Sequence, residues 1–189
     1  MSFRQQKLIA MRRAIQKAAL DLFDEHGYSG VTIRQIAREA QTSVSTVYRQ
    51  FETKEQLVLW DEADAAIEQH LTKIIGRCPP FDALQQAFLD AYANLPEPAL
   101  HLLARRSRLI HSVPEVLAAM VVGLEADRKE LQEALIAVYK RPALEMELVA
   151  RFALVALIAG IDRWLQEGAG DDLLACIEQA FQAARSTLT

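Results

Sequence analysis

Apolar positions recur at helical spacing along almost the whole chain, and the sharpest pattern lies between Thr32 and Lys54. Ile33, Ile36, Ala37 and Ala40 follow the i, i+3, i+4, i+7 rule of a helix with one buried face. Thr32 and Gln35 have the form of a capping box at its start. The pattern breaks at Gln41 and Thr42, after which Ser43 can cap a second helix with Val44, Val47 and Phe51 on its apolar side. Thr53 with Gln56 repeats the capping-box form, so a longer helix is expected from Lys54 to about Gly76, with Leu57, Val58, Trp60, Ile67, Leu71 and Ile74 inward.

The same reading places a helix from about Gln6 to His26, with Leu8, Met11, Ile15, Ala18, Leu22 and Phe23 on one face and Gly27 ending it. Beyond Cys78-Pro79-Pro80, helices are expected from Pro80 to Asn94, from Glu97 to His111, and from a Ser112–Glu115 capping box to Lys140. One more carries Pro142 in its first turn and runs to Glu167, and the Gly168-Ala169-Gly170-Asp171-Asp172 stretch introduces the last. These make about nine helices, and no run of alternating β-branched residues competes with them, so the expected fold class is all-α. The expected division is residues 1–54 as one domain and 55–189 as another.

The helix from Ser43 to Gln50 is too short to be stable by itself and carries Ser, Thr, Tyr and Arg on its remaining faces. Such a helix fits a DNA major groove, which is wide enough to admit one. The segments AALDLFDEHGYSGVTIRQIAREA, TSVSTVYRQF and ETKEQL stand in the order and spacing of a known pattern. The run from Ile15 to Leu57 resembles the DNA-binding domain of the TetR (tetracycline repressor) family of transcriptional regulators. The resemblance implies an N-terminal three-helix helix-turn-helix head, a C-terminal helical body that binds a ligand and dimerises, and action as a regulator, most often a repressor. It also implies that Thr32, Tyr48 and Lys54 contact the DNA backbone.

Ser43, Val44, Ser45, Thr46 and Arg49 are the candidates for reading bases. Val44 and the Thr46 methyl suit thymine methyl groups, Ser45 donates or accepts, and Arg49 can reach guanine or a phosphate. At Gln41 the family usually has Gly, so this residue either takes a left-handed conformation or tilts the recognition helix.

Charge sharpens this picture. The net charge is −4, yet residues 1–54 hold nine Lys and Arg against five Asp and Glu, a net +4, which leaves −8 for the rest. A basic head on an acidic body confines phosphate attraction to one end. Arg4, Lys7, Arg12 and Arg13 at the start of the first helix are either further backbone contacts or solvated surface charges.

No catalytic constellation stands out, and an enzyme is not expected. His26, His70, His101 and His111 are dispersed, and Cys78 and Cys176 lack a CxxC partner, so neither a metal nor a cofactor is expected. The Gly168-Ala169-Gly170 run follows a helix and not a strand, which removes a dinucleotide loop. The N-terminal residues lack a signal-peptide core, and the longest apolar run, Phe152 to Ile161, is far short of the ~20 residues of a membrane span. A cytoplasmic protein with no membrane partner is expected.

From Leu148 to Ile161 the penultimate helix is apolar almost all round, so part of it is expected to meet a second subunit. Leu148, Phe152, Val155 and Ala156, with Ile177 and Phe181 of the last helix, are the expected homodimer face, as the family resemblance also implies. For a small-molecule effector of unknown identity the candidates are His101, Arg105, His111, Phe152 and Trp164. The function expected is therefore a repressor released from a double-stranded palindromic operator by a small apolar effector. The alternative is a constitutive DNA-binding or adaptor protein without one.

Overall fold

Ten helices form among the residues described in the computed structural model, which are 3–170 and 172–187. In chain order they are α1 (Phe3–His26), α2 (Ile33–Glu39), α3 (Val44–Gln50), α4 (Lys54–Leu59), α5 (Asp64–Ile74), α6 (Pro80–Ala93), α7 (Glu97–Ser112), α8 (Pro114–Tyr139), α9 (Ala143–Gln166) and α10 (Leu173–Thr187). None of them alone is long and apolar enough to cross a membrane.

The chain divides into two compact units: one runs to Glu62 and takes in Pro96–Met120, the other holds Ala63–Leu95 and the chain from Val121 on. The boundary expected after residue 54 is thus not where compactness divides the molecule. In the first unit Ile15, Leu20 and Phe23 of α1 pack with Ile36 of α2, Val47 of α3 and Leu57 and Val58 of α4. Leu102 and Ile110 of α7 and Val116 of α8 complete that core, so α7 is part of the head's own packing. Arg105 of α7 adds ion pairs to Asp21 and Asp24 of α1.

The single helix expected from Lys54 to Gly76 is instead two, α4 and α5, parted at Trp60, whose ψ of 124° leaves the helical region. Neither Pro nor Gly lies between Lys54 and Ile75, so local sequence does not impose the break. Its cause is long-range. The buried Gln16 side-chain amide of α1 donates to the carbonyls of Leu57 (3.0 Å), Val58 (3.3 Å) and Trp60 (2.8 Å). Arg106 of α7 donates to the Leu59 carbonyl (3.3 Å) and to the Asp61 carboxylate. The last carbonyls of a helix have no partner within it, and here side chains from two other helices supply one.

Three capping details also differ from expectation. Gln56 reaches back to the Glu52 N–H and not to that of Thr53, though Thr53 does cap Gln56. Ser112 ends α7 and donates to the Leu109 carbonyl, so it does not cap α8. Pro142 sits at the cap of α9, one residue before its first turn.

The second unit is built on α6, α9 and α10. Gly160 lets α9 and α10 approach closely, since a Cβ there would lie 2.6 Å from the Ile177 Cα. Phe181 packs its ring against Phe81 (5.2 Å) and Phe88 (6.1 Å) of α6. Ala156, Ile177 and Phe181, expected on a pairing face, are therefore buried inside the chain's own packing. Leu144, Leu148 and Val155 of α9 point outward, with Val155 61% exposed, while Phe152 is half-buried.

The Arg106–Asp61 pair yields a test of this network. Asp61→Asn leaves a buried guanidinium without its counter-charge and is expected to cost about 3–5 kcal/mol in urea unfolding. Asp61→Asn with Arg106→Met should recover part of that loss, short of the bond from Arg106 to the Leu59 carbonyl, and a single-variant loss under about 1 kcal/mol would mean the pair behaves as a surface contact.

Candidate nucleic-acid interface

Thr32 opens α2 with a complete capping box: its hydroxyl accepts the Gln35 N–H at 3.3 Å, and the Gln35 side chain accepts the Thr32 N–H at 2.8 Å. The helix ends in a tight turn in which Thr42 N–H reaches the Ala37 carbonyl (2.8 Å) and Gln41 N–H that of Arg38 (3.1 Å). This pair of bonds is the Schellman arrangement, whose pivot residue must adopt a left-handed conformation. Gln41 does so, with φ 51°, which decides between the two alternatives for this residue.

Ser43 then caps α3, accepting the Thr46 N–H at 3.0 Å. Its hydroxyl also lies 2.8 Å from those of Ser45 and Thr46. Val47 is fully buried and Val44 half-buried against the core, so the methyls of Val44 are partly committed inward. Ser45, Tyr48 and Arg49 face solvent, Tyr48 by 53%, and Thr46 is half-buried. Arg34 and Arg38, one turn apart on α2, are also exposed; their places away from Ile36 and Ala37 are readable from the apolar stripe.

Of the four basic residues at the start of α1, Arg12 donates to Gln50 (3.2 Å) and stacks over Phe51, and Arg13 pairs with Glu62. Those two serve the fold, whereas Arg4 and Lys7 are exposed. Lys54 also departs from expectation. Its ammonium turns inward, donating to the Tyr28 and Val31 carbonyls and lying 4.0 Å from the centre of the Tyr28 ring. Burial pushes the Lys54 ammonium below its ordinary value. The Tyr28 hydroxyl donates to Glu55 at 2.8 Å; burial and that carboxylate push its pKa up.

The effector candidates fall in both units. His101, Arg105 and His111 lie on α7 in the first unit, and Phe152 and Trp164 on α9 in the second. His101 and His111 are exposed. Arg105 donates from Nε and both terminal nitrogens to Asp21 and Asp24, so its guanidinium is occupied by carboxylates of its own chain. Trp164 is buried and donates to the Gly170 carbonyl at 2.7 Å. Glu167, Asp172 and Cys176 bring ligand-type atoms within 4.8 Å of one another. Arg163 already holds Glu167, and burial raises the Cys176 thiol above its usual range, both of which oppose metal capture.

A helix-turn-helix with a solvent-facing α3 is matched by the model of bacterial regulatory proteins of the tetR family over residues 15–59. The model of the MftR C-terminal domain matches residues 78–189, more than half of the chain. The chain belongs to the TetR family of transcriptional regulators. Among sequence relatives of this TetR-family chain, an HTH-type transcriptional repressor of Mycobacterium tuberculosis is 31% identical over 121 residues, 60% of this chain and 61% of that protein. The uncharacterized HTH-type regulator YxbF of Bacillus subtilis is 31% identical over 123 residues, 60% of this chain and 31% of that one. The chain thus spans less than two thirds of the length of either. In fold, it is similar to the fatty acid degradation regulator FadR of Bacillus halodurans (19% identity, 92% and 93% of the two chains, TM-score 0.56). It is also similar to Thermus thermophilus FadR, a TetR-family repressor solved with lauroyl-CoA (20% identity, 92% of each chain, TM-score 0.52).

The turn offers a direct check. Relief of the left-handed strain at Gln41, less the entropy that Gly adds to the unfolded chain, makes Gln41→Gly stabilising by about 0.5–1 kcal/mol. A drop in the urea midpoint for this variant would show that the Gln41 side chain contributes something its backbone does not reveal.

Proposed function

We propose that this TetR-family chain is a cytoplasmic, homodimeric repressor that grips a pseudo-palindromic operator and is released by a small apolar effector. The observation that carries the DNA-binding part is the two-sided α3: Val44 and Val47 fix it to the core, while Ser45, Tyr48 and Arg49 stand free of the core on its outer side. A short helix held this way presents polar side chains to a groove without unfolding when it docks. On this reading Thr32 and Tyr48 reach phosphates, Ser43, Ser45, Thr46 and Arg49 supply polar contacts to bases, and Val44 offers what remains exposed of its methyls.

Dimerisation is supported by the outward Leu144, Leu148 and Val155, which lie on one side of α9. Ala156, Ile177 and Phe181 would stiffen that face from behind. The protein two-fold then imposes two half-sites on the DNA. For the effector an apolar molecule is the reading, and Arg105 is no anchor for an anionic head group because it is spent on Asp21 and Asp24. The lauroyl-CoA of the Thermus thermophilus repressor is one compound to try for its apolar chain, with no anchor assigned for its phosphates.

Selection of duplexes from a random library by the full chain is expected to return two half-sites one helical turn apart; a single unsymmetrical site, or none, would sink the proposal. Val155→Glu is expected to give a folded monomer in ultracentrifugation with weaker operator binding. A fully dimeric Val155→Glu protein would move the pairing face away from this side of α9.

A further inference from the structure

We propose that the outer edge of α8, at Val121 and Val122, is a second strip of the homodimer face, so that a second copy of this chain covers α8 as well as α9. The proposal rests on the homodimeric reading above. No charged residue stands between Glu115 and Glu125, and a helix apolar on every side must be covered on every side. Val116 and Met120 are covered by the core of the first unit. Val121 and Val122 instead stand 60% and 74% exposed. β-Branched residues are weaker helix formers than Ala, so two adjacent valines left in water weaken the helix without packing that offsets it.

The register of α8 on α9 decides which partner fits. Gln132 of α8 donates to the Ala143 carbonyl (2.8 Å), Arg128 lies 3.9 Å from Glu147, and Arg151 lies 3.4 Å from Glu125. Each turn back along α8 thus meets one turn forward along α9, and the two helices run antiparallel. Extending that register by one turn sets Val121 level with Val155, which is itself 61% exposed. Leu144, Leu148, Arg151 and Val155 stand at i, i+4, i+7 and i+11, on one stripe of α9. The Arg151–Glu125 pair therefore joins that stripe to the edge of α8 as one surface. A two-fold interface sets a surface against itself, so its charges must suit a copy of themselves. The ion pairs at this seam hold Arg128 and Arg151 against Glu125 and Glu147 and sum to no net charge. Residues 55–189 carry −8 overall, so a balanced face is one on which two copies meet without that repulsion.

Thiol labelling of the full chain tests this. Val121→Cys, Val155→Cys and, on the opposite side of α8, Ala137→Cys are each treated with a maleimide, and their peptides are resolved by mass from those of Cys78 and Cys176. All three positions are exposed in the single chain, so cover by a partner is what separates them. In a sample that sediments as a dimer, Val121→Cys is expected to react about tenfold more slowly than Ala137→Cys. Equal rates at those two positions, in a dimer that protects Val155→Cys, would overturn the α8 strip and leave the α9 face standing. Protection of Val121→Cys without protection of Val155→Cys would keep the strip and overturn the α9 reading. A chain that sediments as a monomer at every concentration refutes both. Val121→Glu gives a second readout: it is expected to raise the dimer dissociation constant about tenfold or more with its helical circular dichroism unchanged, and an unchanged constant would count against the strip.

Discussion

The end of α4 is held by hydrogen bonds that its own sequence does not supply. The carbonyls of Leu57, Val58, Leu59 and Trp60 are met by Gln16 and Arg106, which come from α1 and α7. Leaving such groups buried and unmet costs on the order of 1–3 kcal/mol each, so both donors stabilise the break. The converse also holds, because Gln16 and Arg106 are polar groups in a core and are tolerated there only while those carbonyls accept from them. The helix break, the docking of α7 and the burial of Gln16 are therefore one cooperative event.

This mutual dependence explains why the head is larger than a three-helix motif. Arg105 and Arg106 are adjacent in sequence yet serve different partners, one the carboxylates of α1 and the other the end of α4. Together with Leu102 and Ile110 they make α7 a strut of the first unit. The backbone accordingly leaves that unit after Glu62, returns at Pro96 and leaves again after Met120. The chain thus crosses between the two units three times, and two of the crossings flank the segment that contains α7.

Legibility from sequence follows the range of the forces involved. The Thr32–Gln35 box, the Ser43 cap and the inward stripe of Ile33, Ile36 and Ala40 are local, and all could be read from residues a turn apart. The break at Trp60 could not, since its donors lie more than forty residues away in the chain. Nor could the role of Ile177 and Phe181 be read. Apolar residues on the last helix announce that they will be covered, and say nothing of whether their own chain or another subunit does so; Gly160 and Phe88 decide that the chain itself covers those two. For Lys54, Arg105 and Arg12, family likeness or surface chemistry suggested a ligand, whereas the fold supplied a carbonyl, a carboxylate and an amide first.

The same competition sets what α3 can read. The hydroxyls of Ser43, Ser45 and Thr46 already bond to one another, and Ser43 also caps the helix. For these groups, docking on DNA exchanges one hydrogen bond for another, and the net gain of such an exchange is only about 0.5–1.5 kcal/mol. Tyr48 and Arg49 start from water on an exposed face, and a guanidinium paired bidentately with guanine discriminates by about 1–3 kcal/mol per base. On the DNA-binding proposal, discrimination therefore concentrates at the base facing Arg49. The serine and threonine hydroxyls are then kept chiefly because a seven-residue helix needs its first turn held rigid to present Arg49 at all.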